Sequence, residues 1–180
     1  MSEIVKLHTP LAEGAVRSLR AGDEVSISGP VYSARDMAHQ RLCALLESHE
    51  ELPIDLRGSV IYFVGPTPSR TGRPIGSAGP TTSTRMDAFS PKLIEAGLKG
   101  MIGKGYRGQA VRQALKRHGA VHFSATGGAG ALLSRHIIAS EIVAYEDLGT
   151  EAIRRLVLRD FPAIVAYDSH GQSVYKESDI

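Results

Sequence analysis

Cysteine is nearly absent from this sequence, because Cys43 is the one thiol among 180 residues. A lone cysteine excludes an internal disulfide, and it cannot by itself hold a cluster that needs several thiolates. Cys43 lies among Leu42, Leu45 and Leu46 on a helical pattern, so we expect it to be a buried structural thiol. Redox or metal chemistry would then have to come from another chain.

Aromatic residues and net charge are also scarce. The sequence has no tryptophan, 6% aromatic residues and a formal net charge of +2. A nucleic-acid interface needs a contiguous basic face, and single strands also need aromatic platforms for stacking. Since the cations here are spread among acidic residues, we expect no nucleic-acid partner.

Long hydrophobic runs are missing as well. No apolar stretch is long enough to span a membrane, and the first ten residues lack the apolar core and cleavage site of a signal peptide. We therefore expect a cytoplasmic protein without a membrane contact. The length suits one domain, residues 1–180, whose ends at 1–9 and 172–180 are expected to fray.

Short apolar strand patterns alternate with helical patterns along the chain. Strands are predicted at residues 4–7, 25–28, 60–64, 100–102, 121–124, 142–145 and 163–167. Helices are predicted at residues 9–19, 34–48, 90–97, 111–118, 127–133 and 151–158, with Thr9 and Ser33 as caps of the first two. The alternation indicates an α/β fold: one mixed β-sheet with covering helices.

A long stretch rich in Gly, Pro, Ser and Thr occupies residues 65–84. Such stretches inside compact domains are usually functional or disordered. Within it and just beyond, residues 79–85 crowd hydroxyls and backbone N–H groups together and end on Arg85. A loop of this kind can cradle an oxyanion. The alternative is an ordinary polar turn in which Thr84 and Asp87 cap the next helix.

Two further cations also follow predicted strands. Arg35 falls in the first turn of a helix, where the helix dipole disfavours a cation unless an anion binds there. The alternative for Arg35 is a surface ion pair with Asp36 or Glu47. Lys104 stands between Gly103 and Gly105, which would let a ligand approach the backbone closely, although a solvated lysine in a tight turn is equally consistent.

Ligands of open α/β sheets bind beyond the carboxyl ends of the strands. Three cations at such places indicate a small polyanion, and a dicarboxylate would use all of them. Composition and spacing support no more than that.

Several motifs, read in order, resemble the beta region of class I fumarate hydratases and the related tartrate dehydratases. The matching segments are Ala21-Gly22-Asp23, Ala34-Arg35-Asp36 with His39, Gly65-Pro66-Thr67-Pro68, Gly76-Ser77-Ala78-Gly79-Pro80-Thr81-Thr82, Arg85-Met86-Asp87, Gly100-Met101-Ile102-Gly103-Lys104-Gly105, Ala144-Tyr145-Glu146-Asp147-Leu148-Gly149 and Phe161-Pro162-Ala163. The resemblance covers residues 10–175. Its most specific motifs are Gly-Pro-Thr-Thr, with an arginine four residues beyond the first threonine, and Met-Ile-Gly-Lys-Gly.

The resemblance implies a swivelling β/β/α domain that serves as the beta subunit of a hydro-lyase. The family's enzymes interconvert fumarate and L-malate, a step of the tricarboxylic acid cycle. Their alpha region supplies three cysteines to a [4Fe–4S] cluster with one iron open to substrate. We therefore expect an alpha subunit as partner, a hetero-oligomer such as (αβ)2, no metal ligand in this chain, and no activity without the partner.

The family's site residues can be carried over by matching position. Arg35, Arg85 and Lys104 would hold the carboxylates of a small dicarboxylate substrate, and Thr81 would be the base that takes the proton from the methylene of malate. A threonine hydroxyl is a poor base unless a neighbour takes its own proton. We expect His39, Thr82 and Asp36 to support these residues, although His39 has the alternative of a packed or capping histidine.

Two alternatives to a fumarate hydratase remain open at this point. The chain could belong to a dehydratase of tartrate or of a mesaconate-type substrate. It could also be a non-catalytic module that binds anions or assists assembly.

Overall fold

The computed structural model describes residues 2–126 and 130–179, which form one small mixed α/β domain. Its strands are β1 Val5–His8, β2 Glu24–Ser33, β3 Val60–Tyr62, β4 Gly100–Gly103, β5 Val121–Ala125, β6 Ile137–Ala144 and β7 Ile153–Tyr167. Its helices are α1 Glu13–Ser18, α2 Asp36–Glu47, α3 Ser90–Glu95, α4 Gln109–His118 and α5 Gly130–Leu133. Short 3-10 turns occupy Ser83–Met86, Ser134–His136, Glu146–Glu151 and Glu177–Asp179.

The seven strands form one sheet in the order β1-β2-β3-β4-β5-β7-β6. Strands β2 to β5 pair in parallel, whereas β7 is antiparallel to β2, β5 and β6. Since β7 pairs with both β5 and β2, the strands β2, β3, β4, β5 and β7 close into a circuit. The predicted mixed sheet with covering helices is confirmed.

Strand β3 shows how the sheet separates two hydrophobic cores. Val60 and Tyr62 face a core that α1 also covers. Ile61 and Phe63 face a second core, which α2, α3 and α4 cover with residues such as Leu42, Leu93 and Leu115. Because both faces of β3 are buried, its sequence is a continuous apolar run rather than an alternating one.

The helix predicted at residues 151–158 is wrong, because this segment forms the first half of β7. Ile153 and Leu156 stand three apart, which imitates helical spacing. The segment nevertheless pairs with β2 on one side and with β6 on the other, for instance with Leu156 opposite Val31. Two ladders of backbone hydrogen bonds outweigh a weak helical pattern.

The two predicted helix caps are wrong for the same physical reason. Thr9 Oγ1 donates to the carbonyl of Pro30 at 2.6 Å, and α1 begins only at Glu13. Ser33 ends β2, and its hydroxyl accepts a hydrogen bond from the Arg154 backbone N–H at 3.1 Å. In both cases the hydroxyl group is hydrogen-bonded to the backbone of a neighbouring strand, so it does not cap a helix.

Other segments differ from the prediction only in extent. The strand predicted at 142–145 begins earlier, as β6, and the strand at 163–167 is the second half of β7. The helix predicted at 127–133 is described only as α5, because residues 127–129 lie outside the described residues. Near the chain ends, β1 pairs with β2, and the Tyr175 ring packs edge-on against Tyr106 with centroids 4.6 Å apart.

Two further predictions concern the single cysteine and a possible membrane contact. Cys43 is buried, with 6% of its surface exposed, so the predicted structural thiol is confirmed. Within residues 2–126 and 130–179, none of the helices has the length and apolar character needed to cross a membrane.

Candidate functional site

The carboxyl ends of three neighbouring parallel strands carry the predicted site residues. Arg35 comes two residues after β2, and Lys104 directly follows β4. Between them Phe63 follows β3, and its carbonyl accepts a hydrogen bond from the Thr81 N–H at 2.7 Å. Parallel strands end at one edge of a sheet, so the fold gathers segments that lie far apart in sequence.

Backbone hydrogen bonds hold Thr81 and Thr82 against Lys104. The Lys104 N–H donates to the Thr81 carbonyl at 3.3 Å, and the Ser83 N–H donates to the Lys104 carbonyl at 2.8 Å. Thr82 and Lys104 are thereby paired as an isolated parallel bridge. The predicted base and one predicted carboxylate ligand are therefore brought together.

Arg35, Asp36 and Arg85 form an ion-pair cluster at the same edge. Arg85 Nε lies 3.2 Å from Asp36 Oδ1, and Arg85 Nη2 lies 3.0 Å from Asp36 Oδ2. Arg35 Nη2 lies 3.9 Å from the same Oδ2. Two guanidinium groups share one carboxylate, so the cluster keeps a net positive charge. The alternative pairing of Arg35 with Asp36 does occur, whereas Glu47 pairs with Lys92.

The stem of Arg35 lies directly across the backbone of Gly65. A Cβ atom at Gly65 would lie 3.0 Å from Arg35 Cδ, 3.1 Å from Arg35 Nη1 and 3.3 Å from the Thr150 carbonyl. An alanine there would press on both neighbours, which would have to move by a few tenths of an ångström. Gly65 begins both the long loop and the Gly-Pro-Thr-Pro motif, but neither pattern predicts its contact with Arg35.

The long polar loop folds back on itself instead of extending outward. The Thr67 N–H donates to the Ser77 carbonyl at 3.0 Å, and the Ser77 N–H donates to Thr67 Oγ1 at 2.7 Å. Ala78 is held from both sides: its N–H donates to the Gly130 carbonyl at 3.1 Å, and its carbonyl accepts from the Tyr62 hydroxyl. These contacts join the two Gly-containing motifs and fix the chain shortly before Thr81.

His39 lies inside the protein and contacts the backbone of Arg35. It is fully buried, and its Nδ1 lies 2.8 Å from the Arg35 carbonyl, so Nδ1 carries a proton and donates. Burial lowers the pKa of His39 from 6.5 to about 4, so the ring is neutral near pH 7. The ring also meets Phe63 edge-on at 5.3 Å. His39 is therefore a packed, neutral histidine, and its support of the site stays a prediction.

A buried arginine beside the site was missed by sequence reasoning. Arg107 is 1% exposed, and its guanidinium contacts Asp87 at 2.8 Å, Ser90 at 2.6 Å and His122 at 3.2 Å. The sequence places Arg107 three residues after Lys104 in a polar, glycine-containing turn. Nothing in that pattern distinguishes a buried arginine from a solvated one. Asp87, a predicted alternative helix cap, binds this arginine and the N–H of Gly108 instead.

The residues of this chain do not fit a cysteine-ligated cluster. Cys43 Sγ lies 3.6 Å from the Phe89 carbonyl, and burial raises the pKa of its thiol. Among residues 2–126 and 130–179, no three His, Cys, Asp or Glu side chains are grouped so that they could hold a metal. The site residues instead present cations, hydroxyls and backbone N–H groups, which suit a small anion. We call Arg35, Thr81, Arg85 and Lys104 the strand-end site.

Comparison with known proteins finds relatives that are longer than this chain. The chain is 34% identical over 177 residues to "Fumarate hydratase class I, anaerobic" of Escherichia coli, covering 96% of this chain and 32% of that protein. It is 33% identical over 159 residues to "Fumarate hydratase 2" of Leishmania major, covering 87% of this chain and 28% of that protein. The chain thus spans about a third of the length of these relatives.

A shorter relative is matched over most of its length. The chain is 36% identical over 173 residues to a protein assigned as L(+)-tartrate dehydratase subunit beta of Methanocaldococcus jannaschii, covering 93% of this chain and 89% of that subunit. The family model described as "Fumarase C-terminus" matches residues 1–178. The chain therefore belongs to the fumarase C-terminus family.

Proposed function

We propose that this chain is the beta subunit of a [4Fe–4S]-dependent hydro-lyase that interconverts fumarate and L-malate. The observation that carries the proposal is the strand-end site, where Thr81 lies hydrogen-bonded to Lys104 through the backbone, one 3-10 turn away from Arg85. A dicarboxylate needs cations at two places and a proton acceptor near the carbons between them. The closed circuit of strands also supports the swivelling β/β/α type of fold.

We assign a role to each residue of the strand-end site. Arg35, Arg85 and Lys104 would bind and orient the two carboxylates, which brings the reacting carbons over Thr81. In the dehydration direction the Thr81 hydroxyl would take the proton from the methylene carbon. That hydroxyl must pass its own proton on, because a neutral threonine is a weak base. We infer that a carboxylate of the partner receives it.

The strand-end site would be completed by another chain. This chain covers about a third of the fumarate hydratases that it matches, and one relative is named as a beta subunit. Since the lone Cys43 does not fit a cluster, we propose that an alpha subunit holds the [4Fe–4S] group. The beta chain alone would then be inactive, and the enzyme would be a cytoplasmic hetero-oligomer such as (αβ)2.

Tartrate is the second candidate substrate, because of the likeness to the M. jannaschii subunit. Its two carboxylates would use the same three cations. A mesaconate-type substrate or a non-catalytic anion-binding module are the remaining alternatives.

The test is to measure hydration of fumarate and dehydration of tartrate, without oxygen, by the beta chain, by its alpha partner and by both combined. We expect fumarate hydration only in the combined sample. If the combined sample dehydrates tartrate but does not hydrate fumarate, the proposed substrate would change to tartrate and the proposed mechanism would stand. Absence of both activities, with the complex and the cluster verified, would overturn the hydro-lyase proposal.

A further inference from the structure

The buried guanidinium of Arg107 is almost saturated with partners. A buried cation is costly unless it is paired and hydrogen-bonded. Its contacts are Nε to Asp87 Oδ1 at 2.8 Å, Nη1 to His122 Nδ1 at 3.2 Å and to Met101 Sδ at 3.3 Å, and Nη2 to Ser90 Oγ at 2.6 Å. In addition, its carbon Cζ lies 5.2 Å from the centre of the Phe63 ring. So many contacts fix the position of the arginine closely.

The contacts of Arg107 also fix the tautomer of His122. An arginine can only donate, so His122 Nδ1 must accept, and the proton of this neutral ring must sit on Nε2. His122 Nε2 lies 3.2 Å from Ser83 Oγ, to which it therefore donates. His122 is fully buried, and burial together with Arg107 lowers its pKa well below the usual value, which keeps the ring neutral. The result is a directed chain of hydrogen bonds from Arg107 through His122 to Ser83.

Ser83 lies where the strand-end site is held together. Its N–H donates to the Lys104 carbonyl, and it opens the 3-10 turn that carries Arg85. A Cβ atom on Gly103 would lie 2.2 Å from Ser83 Oγ, so the serine packs directly on the end of β4. A shift of Ser83 would therefore move the backbone on both sides of the bridge between Thr82 and Lys104.

The other end of the same turn is also tied to Arg107. Asp87, which directly follows the turn Ser83–Met86, binds Arg107 Nε through Oδ1 and the Gly108 N–H through Oδ2 at 2.6 Å. Arg107 thus holds one end of the turn directly and the other end through His122. Between these two ends lies Arg85.

We propose that Arg107 and His122 are positioning residues, which fix the turn Ser83–Met86 so that Thr81, Arg85 and Lys104 keep their relative positions. They do not contact the substrate. The kinetic part of this proposal rests on the proposed function, whereas the structural part does not. A purely structural role, in which the cluster only stabilises the fold, is the competing explanation.

The decisive variants are Ser83→Ala and His122→Asn. Both cut the link between His122 and Ser83, and the asparagine oxygen in place of Nδ1 still accepts from Arg107. Thr84→Ala is the matched control, because Thr84 lies in the same turn and is exposed. The first readout is amide hydrogen exchange in the full chain. We expect exchange at least tenfold faster at the Ser83 and Lys104 amides in both variants, with unchanged exchange in residues 24–28 of β2, which pair with β1 and β7. Exchange in Thr84→Ala should match the wild type throughout.

The second readout is the kinetics of the combined alpha and beta chains. We expect kcat/KM to fall roughly 10- to 100-fold in Ser83→Ala and His122→Asn and to stay unchanged in Thr84→Ala. Wild-type exchange at Ser83 and Lys104 would overturn the positioning role. A general loss of protection that includes residues 24–28 of β2 would overturn it as well. Faster local exchange with unchanged kinetics would overturn its link to catalysis. If Thr81→Ala were also fully active, the proposed function itself would have failed.

Discussion

At the scale of residues, the ion pair with Asp36 orients Arg85, which we propose as a carboxylate ligand. Asp36 holds its guanidinium through two nitrogens, yet half of the Arg85 side chain is exposed and free to meet a ligand. The Arg85–Asp36 pair itself contributes little to folding, since exposed ion pairs are worth about 0.2–1 kcal/mol. The ion pair therefore matters because it orients the Arg85 guanidinium, and its contribution to stability is small.

We predict that Arg85→Ala raises the KM for the dicarboxylate roughly 10- to 100-fold, because a charge-assisted hydrogen bond is worth about 1.5–3 kcal/mol. Thermal stability should stay near that of the wild type. Steady-state kinetics of the combined enzyme and a thermal melt check both statements. Arg73→Ala, in the exposed part of the long loop, is the control. An unchanged KM would remove Arg85 from the site.

The burial of His39 predicts that the free energy of unfolding depends on pH. Its pKa in the fold, about 4, lies below the usual 6.5, so the unfolded chain takes up the proton first as the pH falls. The contribution of His39 is therefore complete above pH 6.5 and is lost between pH 6.5 and pH 4. We expect a loss of roughly 2 kcal/mol in the free energy of unfolding at about pH 5.

Urea titrations near neutral pH and at about pH 5 measure this loss. His39→Asn keeps a nitrogen near the position of Nδ1 for the Arg35 carbonyl but cannot be protonated, so its stability should depend less on pH. Equal losses in the wild type and in His39→Asn would show that His39 is not the cause.

At the scale of elements, the long loop and the end of β2 depend on each other. The Arg35 side chain packs so closely on Gly65 that a Cβ atom there would push against it. We predict that Gly65→Ala displaces Arg35 and raises the KM for the dicarboxylate roughly tenfold, since one charge-assisted contact is weakened.

Gly14→Ala is the matched control for Gly65→Ala. A Cβ at Gly14, in α1, meets nothing within 4 Å. Alanine there should leave the KM unchanged and add up to about 1 kcal/mol of stability. Wild-type kinetics in Gly65→Ala would contradict the close packing of Arg35 on this glycine.

Elements with strong local patterns could be predicted from the sequence, and those shaped by distant partners could not. The helix around Leu42 and the buried strand β3 follow from spacing and from a continuous apolar run. The helix predicted at residues 151–158 is wrong because the strands that pair with β7, β2 and β6, lie elsewhere in the chain. The cap predicted at Ser33 is wrong because the Ser33 hydroxyl accepts a hydrogen bond from the backbone of β7.

The same division applies to the strand-end site. Lys104 and Arg35 could be found because cations after strands are conspicuous and because the motifs resemble a family. Arg107 and His122 could not, since only the closed packing of the fold buries them and brings them together. The burial of polar side chains by distant elements leaves no local pattern in a single sequence.

For the whole molecule, the closed circuit of strands explains why one edge can carry the site. β2, β3 and β4 end side by side, and β7 ties β2 to β5, so the edge is held from both directions. The cations, the threonine and the supporting histidine all belong to this chain. The matched fumarate hydratases are about three times as long as this chain. Completion of the site by another chain remains part of the proposed function.

The central claim is that Thr81 of this chain takes part in the reaction of a two-chain hydro-lyase. The most direct test is the kcat for fumarate hydration of the combined chains with Thr81→Ala, compared with Thr84→Ala. We predict a loss of roughly 10²- to 10⁴-fold in kcat for Thr81→Ala, the range of a lost general base, with unchanged complex formation and with Thr84→Ala fully active. Equal kcat values for the two variants would contradict the account.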